Sequence, residues 1–135
     1  MMTKTQQMMA WLEGELAKNL SYVWGDKDGE MGKTKGWDCS GLSRGAYASI
    51  GITNPDGSFN QIKCGREITL EAAARNPGVL VFKRRKITGR VYHVGIITEG
   101  GTVTEAHSTK LGIIKRAYSP KGWSSARKID ELYAP

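Results

Sequence analysis

The tripeptide Asn76-Pro77-Gly78 divides this sequence into two regions with different side-chain periods. Pro cannot continue a helix and Gly reaches the left-handed conformations of tight turns, so a segment must end there. Before it, Met8, Met9, Leu12, Leu16 and Leu20 recur at helical spacing behind the capping-box pair Thr3 and Gln6, which predicts an amphipathic helix from about residue 4 to about 19. After it, β-branched runs stand between glycine-containing turns at 79–83, 91–98, 102–107 and 112–116, with a weaker run at 126–129. Helices first and strands afterward predict an α+β domain with an antiparallel sheet.

Between the first helix and the turn, Asp38 is placed to cap a second helix with Leu42, Ala46, Tyr47 and Ile50 on its inner face, and Gly51 lies where a left-handed C-terminal cap belongs. The stretch 25–36 is charged and Gly-rich without a period and reads as an exposed loop. Asn54-Pro55-Asp56-Gly57 is a turn, and 69–75 reads as a short helix. A chain of 135 residues, 39% hydrophobic and 24% charged, has the apolar content for a core and the length for one domain, 1–135. Its apolar runs are as short as 78–82, far from the roughly 20 residues a membrane span needs. The N-terminal segment is broken by Glu13, Glu15 and Lys18, unlike a secretory signal, so the product is expected to stay in the cytosol until something releases it.

The net charge of +7 favours encounter with a polyanion: nucleic acid, anionic lipid or an anionic wall polymer. The run Lys83-Arg84-Arg85-Lys86 with Arg90 is a solvated loop or, on the sharper reading, an attraction site for such a polymer. Aromatic residues are not interleaved with these cations as stacked bases require, which argues against specific nucleic-acid binding. Cys39 and Cys64 read as free thiols, a disulfide between them being the alternative. Neither short Cys-x-x-Cys nor His-x-x-x-His spacing is present for zinc. The acidic run Asp26-x-Asp28-x-Glu30 has Met31 where a calcium loop needs Gly and Trp37 where it needs Glu, so no metal and no cofactor are expected.

The chemistry centres on Cys39 in the first turn of the second helix. Unpaired backbone N–H groups and the helix dipole favour thiolate there, and the same N–H groups can stabilise the oxyanion formed when thiolate attacks an amide. Its base must titrate near neutrality, and the only histidines are His93 and His107. A hairpin centred on Gly100 sets them directly opposite, with Cβ atoms about 4.5–5.5 Å apart. That spacing predicts a Cys-His-His triad in which His93 takes the proton and His107 orients its ring.

The motifs Tyr22-Val23-Trp24-Gly25, Asp38-Cys39-Ser40-Gly41-Leu42, Pro77-Gly78, His93-Val94-Gly95-Ile96 and Ala106-His107 together resemble the NlpC family of cell-wall cysteine peptidases, from about Leu20 to about Arg116. The resemblance implies a papain-like α+β fold, N-terminal helices on a central antiparallel sheet, that cleaves amide bonds in bacterial peptidoglycan. It implies Cys39 as nucleophile, His93 as base, His107 as third member, and Tyr22, Ser40 and Asp38 at the substrate and oxyanion. The chain departs from the family at Val79, where Asp often follows Pro-Gly, and in its charged loop before Trp37. The family most often cuts between D-glutamate and a diamino acid; an amidase acting between sugar and peptide is the enzymatic alternative, and a silent wall-binding or virion-structural module the non-enzymatic one. The small size and missing signal are similar to a phage or prophage endolysin, and a fragment of a larger tail or wall protein has the same appearance.

Overall fold

Helix α1 (Lys4–Ala17) opens on the expected capping box: Thr3 Oγ1 accepts from the Gln6 N–H at 3.1 Å and Gln6 Oε1 accepts from the Thr3 N–H at 2.9 Å. The computed structural model describes residues 1–18, 21–22, 36–108 and 112–135, with backbone alone at 21, 22, 36, 37 and 108. The expected loop, apart from Gly36, lies outside the described residues, as do Leu20 and the Tyr22 side chain. Strands β1 (Ser21–Tyr22) and β2 (Gly36–Trp37) form a short parallel pair.

Helix α2 (Cys39–Ala48) follows the expectation at both ends. Asp38 is extended and its Oδ1 accepts from the Gly41 N–H at 2.6 Å, which satisfies a donor that has no acceptor within the helix. At the other end Ile52 N–H donates to Tyr47 O at 3.0 Å and Gly51 N–H to Ala48 O at 3.0 Å, a Schellman closure that needs the positive φ of 81° that Gly51 adopts. Leu42, Ala46 and Tyr47 are buried, whereas Ile50 lies beyond the helix and is only partly covered. Helix α3 (Ser58–Gln61) was not expected; α4 (Leu70–Ala73) falls inside the expected segment and is capped by Thr69 Oγ1.

The six-stranded sheet runs β3 (Arg66–Ile68), β8 (Ser125–Lys128), β4 (Leu80–Arg84), β5 (Val91–Thr98), β6 (Thr102–Ser108), β7 (Gly112–Ala117), every pair antiparallel. Successive side chains alternate between its faces. Leu80, Phe82, Val94, Ile96 and Ala106 pack with Met8 and Leu12 of α1 and Leu42 and Tyr47 of α2. Val79, Val81, Ile97 and Val103 pack on the opposite face with Ala73, Ala126 and Trp123. A side chain at Gly95 would bring its Cβ within 2.9 Å of both Trp123 and Val103, so glycine there is what lets the indole lie against the sheet.

Candidate active site

Cys39 is 8% exposed, a free thiol in the first turn of α2 and part of the core cluster on the helix side of the sheet. Cys64, also a free thiol, sits after α3 with its sulfur facing Asn60 O at 3.9 Å. The two belong to different environments and form no disulfide.

His93 is set by a bulge. The β4–β5 ladder pairs Lys83 with His93 and then Arg84 with Val91, so Tyr92 is an extra residue and the strand is re-aimed where His93 leaves it. Trp123 stacks on the imidazole with centroids 5.7 Å apart at 21°, in the space that Gly95 leaves open. The stacked indole and the Nε2 contact, 2.7 Å from Glu105 Oε1, thus fix its orientation on the cleft it shares with Cys39.

The second bond corrects the expected triad geometry. The β5–β6 ladder pairs Ile96 with Thr104, Ile97 with Val103 and Thr98 with Thr102, a hairpin centred as the sequence predicts. His93 and His107 share a face, but their rings meet edge-on, 6.4 Å between centroids at 73°, and His107 Nδ1 is buried without a partner. Glu105 takes the place at Nε2 instead. Continuing the same register sets it opposite Gly95, which offers no side chain, and its longer stem reaches the diagonal neighbour His93. Arg116 on β7 holds the same carboxylate, Nε to Oε2 at 2.8 Å and Nη2 to Oε1 at 3.4 Å. The sequence signal for Glu105 was present in strand alternation, which puts Val103, Glu105 and His107 on one face; an opposed-pair argument alone passes over a diagonal carboxylate.

The charges reinforce one another. Burial pulls the His93 imidazole down, but its hydrogen bonds to Cys39 and Glu105 and their charges outweigh that, and its pKa lies above the ordinary 6.5. Burial pushes the Glu105 carboxyl up, yet the hydrogen bond and charge of His93 and the Arg116 guanidinium hold it below the ordinary 4.5. His107 moves the other way: burial lowers it, and although Glu105 opposes, Arg116, His93 and Lys83 add to the fall. At neutral pH the site therefore holds a carboxylate, an imidazole that retains its proton readily, and a neutral His107.

These residues open on a cleft of about 1020 Å³ lined by Asp38, Cys39 and Ser40 on one side and Lys83, Tyr92 and His93 on the other. Asp38 is spent in part as the helix cap, and Ser40 Oγ lies 3.4 Å from Asp38 Oδ1. Behind them Gln61, fully buried, donates from Nε2 to Ser40 O and to Pro55 O, both at 2.9 Å, while its Oε1 accepts from Ser43 Oγ at 2.5 Å. A residue of the unexpected α3 thereby ties the first turn of α2 to Pro55, just before the 56–60 segment that lines the cleft. Among the described residues no three His, Cys, Asp or Glu side chains converge as metal ligands, and no helix is long and apolar enough to cross a membrane.

The profile of the NlpC/P60 family matches residues 19–129. The gamma-D-glutamyl-L-lysine dipeptidyl-peptidase of Bacillus subtilis (strain 168) is 29% identical over 99 residues, which are 73% of this chain and 31% of that protein, so the chain spans less than a third of that relative. Among solved structures, the NlpC/p60 domain of the peptidoglycan hydrolase SagA is 26% identical with a TM-score of 0.68, covering 90% of this chain and 98% of that one. The peptidoglycan hydrolase RipB of Mycobacterium tuberculosis is 25% identical with a TM-score of 0.69, covering 93% of this chain and 66% of that one.

Proposed function

Because the chain belongs to the NlpC/P60 family, whose profile spans residues 19–129, we propose that it is a cysteine peptidase that hydrolyses amide bonds in the stem peptides of bacterial peptidoglycan. The observation that carries this reading is the grouping of Cys39, His93, Glu105 and Arg116, in which a thiol at a helix start shares a cleft with an imidazole that is itself held by a buried carboxylate. Cys39 thiolate attacks the carbonyl carbon, and first-turn N–H groups of α2 stabilise the oxyanion. His93 gives its proton to the leaving nitrogen as the C–N bond breaks, leaving a thioester on Cys39. It then takes a proton from the water that hydrolyses the thioester and returns it to the sulfur. Glu105 holds the ring tautomer and stabilises the imidazolium, the role the sequence had given to His107. His107 keeps a place in the cleft wall, and Tyr22, Ser40 and Asp38 are assigned to the acyl side and the oxyanion.

The preferred bond is the one between D-glutamate and a diamino acid, supported by the substrate named for the Bacillus subtilis relative. The finer reading as an endolysin draws support from the net charge of +7, which concentrates the protein on an anionic wall. Mass spectrometry of peptidoglycan digests tests the whole reading: the wild type should release stem-peptide fragments with a new diamino-acid amino end, and Cys39→Ala should release none. Products in which an intact stem has left its sugar would make the protein an amidase. Binding without any release would make it a silent wall-binding module. Turbidity of whole cells after external addition checks the endolysin role. Chelators should leave the rate unchanged.

A further inference from the structure

Three of the five cations singled out in the sequence gather on one wall of the cleft. Lys83, Arg85 and Arg90 line it from the β4–β5 hairpin, while its acidic residues, Asp38 and Asp56, stand across from them on the α2 cap and the turn before α3. Lys83 is the ladder partner of His93, and its ammonium lies 4.8 Å over the Trp123 ring that stacks on that imidazole. Arg85 is held 4.0 Å over Tyr92, the bulged residue beside His93. Beyond them a second cleft of about 640 Å³ continues from the first, sharing Phe59, Arg90 and Val91 and adding Lys63, with Glu67 its acidic residue.

Which side of the scissile bond these cations face follows from the chemistry. The group that protonates the leaving nitrogen must lie on the leaving-group side of the thiolate, and that group is His93. The hairpin that carries the cations is the element that carries His93. The positive wall therefore meets the departing fragment, not the acyl fragment held on Cys39. We propose that this wall is a carboxylate-recognising subsite, and that the preferred substrate is a stem peptide whose leaving fragment ends in a free carboxylate. The proposal rests on the peptidase reading and adds to it a preference for trimmed stems over stems whose terminal carboxyl is tied up in an amide.

The test compares L-alanyl-γ-D-glutamyl-L-lysine with its C-terminal carboxamide as substrates of the full chain. A charge-assisted contact in a partly open cleft corresponds to about a tenfold higher kcat/KM for the acid, narrowing as salt is raised. The double variant Lys83→Gln/Arg90→Gln should bring the ratio close to one, and cleavage of the carboxamide by that variant shows that it is folded. If the variant fails to fold, Arg90→Gln alone together with the salt dependence of the wild type decides. A wild-type ratio of one overturns the subsite. So does a ratio that the variants leave intact while retention on polyglycerol phosphate is lost, because the cations would then serve a wall polymer. Calorimetric binding of both peptides to Cys39→Ala separates the two readings. Acid-selective binding with no hydrolysis by the wild type sinks the peptidase reading alone, and equal binding sinks the subsite alone.

Discussion

The two walls behind the cleft are built from different polar chemistry. On the sheet side, His93 and Glu105 bury ionisable groups that compensate one another, and the exposed Arg116 pairs with the same carboxylate. On the helix side, Ser40, Ser43, Gln61 and the Pro55 carbonyl form a neutral network around the turn that carries Cys39. A buried charge responds to pH, whereas a neutral amide does not, and both are expensive to strand. On the proposed peptidase reading, proton handling belongs to the strands and placement of the nucleophile to the helices.

The strongest way to break this division is at Glu105. Glu105→Gln preserves shape and an acceptor but removes the charge, and turnover on peptidoglycan should fall by about 10²–10⁴, as for the orienting carboxylate of other triads. The His93 titration, read by NMR, should move down because the charge of Glu105, one of the influences that raise it, is lost. Wild-type stability should follow the same pair. His93 has a raised folded value, so its contribution is complete below its ordinary 6.5 and fades as pH rises through the folded value. Glu105 has a lowered one, so its contribution is complete above its ordinary 4.5 and fades as pH falls through the folded value. Denaturant midpoints should therefore be highest between those two ordinary values, and the plateau should weaken in Glu105→Gln. A variant with unchanged turnover and titration would return the orienting role to His107.

The helix-side counterpart is Gln61→Leu. It takes the donor from the Pro55 carbonyl and one of the two acceptors from Ser43 Oγ, which keeps its bond to Ser40 O, and should lower stability by about 1–3 kcal/mol in chemical denaturation. Residual activity should drop without any shift of its pH limits, since no charge is touched. A shifted pH profile would show the two walls to be coupled.

How far the sequence carried this picture depends on the range of the interaction. The capping box at Thr3 and Gln6, the Asp38 cap and the Gly51 closure are contacts within a few residues, and all three stand in the structure. The strands after Pro77 begin and end within about two residues of their β-branched runs. Helix α3 was missed because Ser58-Phe59-Asn60-Gln61 is a single turn, too short to show a period. Strand β3 was missed because Arg66-Glu67-Ile68 has no apolar alternation, and its pairing partner β8 lies some 60 residues away in sequence. The helix-start setting of Cys39 and the strand setting of His93 were legible locally; the Glu105 contact to His93 was passed over because it is a diagonal pairing across two strands.

Gly95 itself sharpens the comparison from within the sheet. Gly95→Ala pushes a methyl into Trp123 and Val103, an overpacking that should cost about 1–3 kcal/mol. Because Trp123 covers the imidazole, kcat should fall more than the loss of stability explains, and tryptophan fluorescence should report the displaced ring.

The smallest effect belongs to His107. Its ring is edge-on to His93, its Nδ1 has no partner, and its lowered pKa leaves it neutral at the pH of the reaction, so it neither accepts the ring proton of His93 nor adds charge beside it. What it supplies is a polar surface on the cleft wall and contact with the base. His107→Ala should therefore lower kcat by less than about tenfold, equivalent to under about 1.4 kcal/mol, with the His93 titration nearly in place. His107→Gln should recover most of the loss if the cleft needs only a polar group there. Steady-state rates on the same stem peptide, with circular dichroism as the folding control, decide the matter. A loss in folded His107→Ala as large as that in Glu105→Gln would mean that the two strand residues act as one unit and that the base is oriented from both.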